Sequence, residues 1–114
     1  MIKSSPAARA ITTAAIFSQV LDLGDEKFKI NSELFLADVE EIMDILFVLN
    51  DEFTSCMIFG HNPGFTDLAN HLSRLSVSNI PTAGVVILKF ECDKWSEIDR
   101  TNCNYEYFDY PKNK

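Results

Sequence analysis

The turn Gly60-His61-Asn62-Pro63-Gly64 constrains the fold of this chain most, because it separates an apolar run from a helical pattern. The run before it, from Cys56 to Phe59, is short and continuous, as in a buried strand. After the turn, apolar residues recur at helical spacing, at Phe65, Leu68, Ala69, Leu72 and Leu75. Pro63 suits a first helical turn, where its missing N–H costs nothing, and Gly64 lets another group approach the backbone. The segment therefore predicts a strand, a tight turn and a helix, with His61 beside the free N–H groups of the helix.

The size and charge of the chain limit the classes of protein to which it can belong. Its 114 residues, 46% of them apolar, are enough for one small domain with a hydrophobic core. A net charge of −7 disfavours non-specific attraction to nucleic acid and to anionic membranes. The three cysteines include no closely spaced pair, which argues against a disulfide framework or a zinc cluster, and no segment resembles a signal peptide. We therefore expect a soluble cytoplasmic protein that binds neither nucleic acid nor membranes.

Apolar periodicity and turn residues predict an alternation of helices and strands along the rest of the chain. The predicted elements are an extended segment at 1–3, a helix at about 7–23, a short strand at 27–30, a helix from 38 to about 50, a strand at 85–91 and an edge strand at 105–110. Ser4 or Ser5 should cap the first helix and Gly24 should end it, whereas residues 34–36 fit either an edge strand or a loop. This order indicates a three-layer α/β/α fold with a mostly parallel central sheet and a ligand crevice at the carboxyl ends of the strands.

Arg9 and His61 are the residues that could act together at that crevice. Arg9 lies in the first turn of a helix that follows a strand end, as does the turn that contains His61. Because carboxyl ends of parallel strands share one edge, the two side chains should be neighbours there, and a guanidinium fork suits a phosphoryl group. The structural alternatives are a solvated arginine and a hydrogen-bonded structural histidine. Asn62 could donate to phosphate or cap the helix.

Other polar and aromatic residues are better explained by structure than by chemistry. Cys56 is expected to be a small core residue, and the acidic residues between Asp38 and Asp44 to form a solvated helix face without a metal. The aromatic residues of the last strand, Tyr105, Tyr107, Phe108 and Tyr110, are expected to pack rather than to stack on bases.

Three ordered motifs resemble the histidine phosphatase superfamily, and most of all its SixA-type phosphohistidine phosphatase branch. They are Ser4-Ser5-Pro6-x-x-Arg9-Ala10-x-x-Thr13-Ala14, the turn Gly60 to Gly64, and Pro81-Thr82-Ala83-Gly84 followed by an apolar strand and Trp95. The resemblance runs from Met1 to about Pro111 and implies a phosphoglycerate-mutase-like fold. It implies hydrolysis of a phosphohistidine protein or a small phosphomonoester through a phosphohistidine intermediate, without metal or cofactor. It implies that Arg9 and His61 are both catalytic and phosphate-binding, with Arg9 as a phosphate-binding arginine and His61 as a contact to the transferring oxygens.

One departure from the family pattern affects the expected activity. The Arg-His-Gly motif, which carries the family's nucleophilic histidine, lies on a strand before the Ser-Ser-Pro turn, and this sequence contains none. The second histidine, His71, should be a structural or surface residue roughly 10 Å along its helix. We therefore expect residues 1–114 to be a single truncated domain that lacks the N-terminal strand and helix, has little activity, and self-associates through an exposed sheet edge. Glu33 is a weak candidate for the leaving-group acid. The alternatives are a non-catalytic phosphate- or phosphoprotein-binding module and a relic fragment.

Overall fold

Three short parallel strands form the sheet from which both candidate turns emerge. The computed structural model describes residues 1–22, 24, 27–81 and 83–111. The strands are β1 (Ile2–Ser4), β2 (Phe28–Ile30) and β3 (Met57–Phe59), in the order β2-β1-β3. Ser4 is in register with Ile30 on one side and with Phe59 on the other. The pairing continues past the strand ends, because the Ser5 N–H donates to the Phe59 carbonyl at 2.8 Å. All three carboxyl ends therefore lie at one edge.

The three helices that the periodicity predicts are confirmed, with differences at their ends. They are α1 (Ala8–Val20), α2 (Val39–Phe47) and α3 (Gly64–Leu72). Asp38 begins α2 as predicted, because its carboxylate accepts from the Glu41 N–H at 2.9 Å while Glu41 accepts in return from the Asp38 N–H at 3.2 Å. Such a capping box needs only residues four apart or fewer, and the sequence therefore specifies it locally.

The predicted caps of α1 are wrong. Its N-cap is Ala7, which has no side-chain cap, and Ser5 Oγ accepts instead from the Ala7 N–H at 3.2 Å, one residue before the helix. Ser5 is fully buried beside β3, so its backbone extends the sheet rather than beginning the helix. The helix ends at Val20, and its C-cap is Leu21 rather than Gly24. Leu23, the predicted last residue of this helix, lies outside the described residues.

The last two strands form a separate antiparallel sheet. These strands are β4 (Val85–Phe90) and β5 (Cys103–Asp109), paired through Val86 opposite Phe108 and Leu88 opposite Glu106. The predicted strand at 85–91 is confirmed, and the last strand begins two residues earlier than expected. Residues 32–34 form a 3₁₀ turn followed by a loop, in agreement with the loop alternative for 34–36. The chain is thus an α/β protein with one parallel and one antiparallel sheet in its described part.

Both sheets pack against a core that comes mainly from α2 and α3. Its buried residues are Leu34, Ala37, Ile42, Met43, Ile45, Leu46, Leu49, Leu68, Leu72 and Ile98. Ile58 from β3 contacts this core, as do Leu88 and Phe90 from β4. In the described part of the chain, no helix has both the length and the apolar character needed to cross a bilayer.

Candidate functional site

The carboxyl edge of the parallel sheet brings together the turns that carry Arg9 and His61. Arg9 is the second residue of α1, which follows β1 after three residues, and His61 lies two residues beyond β3. Because β1 and β3 are adjacent and in register at Ser4 and Phe59, the two turns leave the sheet side by side. Phe17 of α1 also contacts Phe59, with ring centroids 5.5 Å apart, which holds the helix over this end of β3. The expected shared edge is confirmed.

Arg9 and His61 have side chains that the fold leaves available. Arg9 is exposed and His61 is half-buried. Among the residues that the structure describes, neither side chain has a hydrogen-bond partner, and the contact of His61 is through its carbonyl, which accepts from the Phe65 N–H at 3.2 Å. The structural alternative for His61, a histidine engaged in a side-chain hydrogen bond, therefore has no support within this part of the chain.

The two glycines of the turn are explained by packing against them. A Cβ at Gly60 would lie 2.6 Å from the Phe65 ring. A Cβ at Gly64 would collide with the Ala37 carbonyl oxygen and lie 3.5 Å from Ile42 Cδ1. The expected close approach at Gly64 is confirmed, and it fixes the start of α3 against the loop before α2.

Asn62 is occupied by structural hydrogen bonds. Its Oδ1 accepts from the Thr66 N–H at 3.1 Å and from Thr66 Oγ1 at 2.7 Å, which caps the third residue of α3. Its Nδ2 donates to the Ile80 carbonyl at 2.7 Å and to Asn79 Oδ1 at 3.1 Å, which ties the turn to the loop after α3. These contacts support capping. A phosphate contact would require Asn62 to give up one of its two donor bonds.

Two polar residues of α3 continue this network, and the sequence analysis did not identify them. Thr66 Oγ1 accepts from the Ile80 N–H at 3.0 Å. The Asn70 Nδ2 donates to the Val77 carbonyl at 2.8 Å, and the Asn70 Oδ1 accepts from the Val77 N–H at 2.9 Å. A signal was present, because Asn62, Thr66 and Asn70 are spaced by four residues: Thr66 and Asn70 share one face of α3, and Asn62 precedes the helix at the same spacing. That polar stripe fastens the loop at 76–80 to the helix that follows His61.

The remaining candidates fall in different places. Glu33 lies in the 3₁₀ turn just after β2, exposed at the same edge, and accepts weakly from Asn31 Nδ2 at 3.4 Å. His71 is exposed in the last turn of α3, roughly 10 Å along the helix from Gly64, as expected. Cys56 packs against the core, and burial raises the pKa of its thiol to about 11, which makes it a poor nucleophile.

The third motif of the resemblance forms a turn before β4. The Gly84 N–H donates to the Pro81 carbonyl at 2.9 Å, and Ala83 has φ 61°. Thr82 lies outside the described residues. Among the residues described, no three His, Cys, Asp or Glu side chains converge as metal ligands would.

The geometry offers cationic and N–H groups at one sheet edge, which suits the binding of an anion. A guanidinium can neutralise charge and donate two parallel bonds, and an imidazole can donate one more. The expected free N–H groups at the start of α3 are mostly occupied, because the Phe65 N–H donates to the His61 carbonyl and the Thr66 N–H donates to Asn62 Oδ1. No family model, curated protein or solved structure matches this chain.

Proposed function

We propose that the carboxyl edge of the parallel sheet binds the phosphoryl group of a phosphohistidine or of a small phosphomonoester. The observation that carries this proposal is the parallel register of Ser4 with Phe59, which sends the turns of Arg9 and His61 out of the sheet together. Their side chains have no hydrogen-bond partner among the described residues, and a ligand could therefore engage both without breaking an existing bond.

Arg9 and His61 divide the binding between them. The Arg9 guanidinium supplies charge and two donors in a plane that matches two phosphoryl oxygens. The His61 imidazole supplies a donor from the neighbouring turn. Asn62 acts as a positioning residue, because its hydrogen bonds to Thr66 and Ile80 hold the His61 turn in place.

In the enzyme that we propose, a histidine nitrogen attacks phosphorus while the bond from phosphorus to the leaving-group oxygen or nitrogen breaks, and that atom takes up a proton. Water then attacks the phosphohistidine, which breaks its P–N bond and gives inorganic phosphate and the free histidine. In the histidine phosphatase superfamily that the motifs resemble, this nucleophile belongs to an Arg-His-Gly sequence. His61 is the proposed contact to the phosphoryl oxygens and His71 is at the far end of α3, so neither histidine of this sequence is placed to be that nucleophile. We therefore propose that catalysis needs an added Arg-His-Gly segment and that this chain alone binds phosphate with little turnover.

The resemblance to the histidine phosphatase superfamily also bears on how the two sheets are related. Ile58 of β3 and Leu88 of β4 contact one core, although β3 and β4 belong to different sheets. We propose that both strands belong to one central sheet of a three-layer, phosphoglycerate-mutase-like fold, which an additional strand would complete. The unpaired backbone groups along an outer strand can pair with a strand of another molecule, so the chain alone should self-associate along an exposed side of its sheet.

A titration with inorganic phosphate tests the binding site. Phosphate should shift the imidazole NMR signals of His61 and leave those of His71 unchanged, which makes His71 an internal reference. Arg9→Ala should weaken phosphate binding about fivefold to tenfold, as expected for loss of a charge-assisted contact at an exposed site. Arg100→Ala, which removes an exposed arginine between β4 and β5, is the matched control and should bind normally. Equal shifts of both histidines, or none, would refute the proposed site.

A comparison of two proteins separates an enzyme from a binding module. A version extended at its N-terminus by a strand that ends in Arg-His-Gly should hydrolyse a generic phosphomonoester, and His61→Ala in that version should lower the rate by orders of magnitude. If the extended protein folds and binds phosphate but shows no turnover, the non-catalytic phosphate-binding alternative is correct.

A further inference from the structure

A groove beside the proposed phosphate site lies between the loop after α3 and the end of β5. Its volume is about 550 Å³, within the usual range of ligand sites. Ser76, Val77, Ser78 and Asn79 line one side, and Phe108 and Tyr110 line the other. Asn79 is the link to the phosphate site, because its Oδ1 accepts from the Nδ2 of Asn62, the neighbour of His61.

The loop side of the groove is held rigidly for a surface loop. Asn70 binds the Val77 backbone through both its donor and its acceptor. Ile80 is held at its N–H by Thr66 and at its carbonyl by Asn62. Further along, the Arg74 N–H donates to Glu106 on β5 at 2.6 Å, which joins the two sides. A ligand would therefore meet a largely preformed surface, which lowers the ordering cost of binding.

The composition of the groove indicates the chemistry of its ligand. None of the described residues that line it is charged, although the chain as a whole carries a net charge of −7. Phe108 and Tyr110 contact each other with ring centroids 5.4 Å apart and rings tilted by 33°. Both rings are half-buried, so part of their surface remains open. An uncharged planar ring can pack on such a pair, and the serine hydroxyls opposite can bond polar atoms at its rim.

We propose that this groove binds an uncharged planar ring on the leaving group of the phosphorylated substrate, while Arg9 and His61 hold the phosphoryl group. The inference rests on the proposed function and specifies the substrate class of that site: a phosphate ester or phosphoramidate whose leaving group carries a ring. Asn62 joins the two parts, since one end of its side chain positions the His61 turn and the other holds Asn79 at the groove.

Phenyl phosphate and methyl phosphate are the probes, because they share a phosphoryl group and differ in the ring. Phenyl phosphate should bind about threefold to tenfold more tightly, as expected for an added aromatic contact. It should also shift the amide NMR signals of Val77 and Ser78, whereas methyl phosphate should shift only His61. Tyr110→Ala should abolish the preference. Tyr107→Ala, on the exposed face of β5, is the matched control and should retain it.

The outcomes separate this proposal from the proposed function. Equal affinities for the two probes in the unmodified protein, with no shift at Val77 or Ser78, overturn the groove proposal, and a His61 shift in the same titrations leaves the phosphate site standing. If His61 responds to neither probe, the proposed function fails, and the groove proposal fails with it. Because the decisive comparison uses the unmodified protein, poor folding of Tyr110→Ala would not obscure the result.

Discussion

Replacement of Asn62 by alanine should destabilise the protein and loosen the turn that carries His61. The side chain makes four hydrogen bonds: Thr66 donates to Oδ1 from its N–H and its hydroxyl, and Nδ2 donates to Ile80 and Asn79. Alanine removes all four at once. It also leaves the Thr66 N–H without its cap and removes two of the bonds that hold the loop after α3, while those from Thr66 and Asn70 remain.

The magnitude follows from the kinds of bond that are lost. Loss of a helix cap costs about 1 kcal/mol. Each neutral hydrogen bond contributes about 0.5–1.5 kcal/mol, and the two Nδ2 bonds belong at the lower end because Asn62 is exposed. With the bond from the Thr66 hydroxyl included, the free energy of unfolding should therefore fall by about 2–3 kcal/mol, out of the 5–15 kcal/mol typical of a domain. The corresponding decrease in Tm is about 10 °C.

Urea unfolding followed by fluorescence measures this change, because the chain has one tryptophan. Trp95 is half-buried, and its indole N–H donates to the Phe53 carbonyl at 2.9 Å, so its emission should report unfolding. Asn62→Asp is the matched control. It keeps the acceptor for Thr66 and loses both donors, so its stability should lie between those of the other two proteins. If Asn62→Ala instead unfolds like the original protein but binds phosphate weakly, Asn62 contacts phosphate and the positioning argument is wrong.

Two further predictions concern packing and protonation. Gly64→Ala should lower the free energy of unfolding by about 1–3 kcal/mol through overpacking, because its Cβ would press on the backbone carbonyl of Ala37. Gly60→Ala should lower it less, because the Phe65 ring can rotate away. Equal urea midpoints for the two variants would contradict this. Burial raises the pKa of Cys56 to about 11, above the unfolded value of about 8.5. The Cys56 thiol therefore keeps its proton to higher pH in the folded state than in the unfolded state. As pH rises from about 9 to 11, the free energy of unfolding of the unmodified protein should fall by about 2 kcal/mol more than that of Cys56→Ala. Parallel stability curves for these two proteins would refute the assignment.

Local signals in the sequence predicted much of the fold. The helix after Pro63 and the start of α2 at Asp38 depend on residues no more than a few positions apart, and both are present. The parallel pairing of the first three strands was predicted from the alternation of strands and helices, since parallel strands need such crossovers. That pairing was sufficient to place Arg9 and His61 at one edge.

Contacts between distant residues explain what the sequence did not predict. The predicted N-cap of α1 was wrong because the Ser5 backbone pairs with Phe59 in the sheet, and Phe59 is more than fifty positions away in the sequence. The role of Asn62 also depends on distant groups, since Asn79 and Ile80 lie beyond the whole of α3. Nothing in the local pattern around Asn62 specifies which loop will come within reach of its amide.

By itself, the sequence determined the helices and the strands, because propensity, capping and periodicity act over a few residues, and it supplied the residues that we propose to hold a phosphoryl group. Only the tertiary structure decided how these parts are joined: β4 pairs with β5 in a sheet of its own, the polar stripe of α3 fastens the following loop, and that loop meets Phe108 and Tyr110 in a groove. The physical reason is that long-range hydrogen bonds and shared burial depend on the position of the whole backbone. The turn at His61 is encoded locally, whereas its surroundings are a product of the fold.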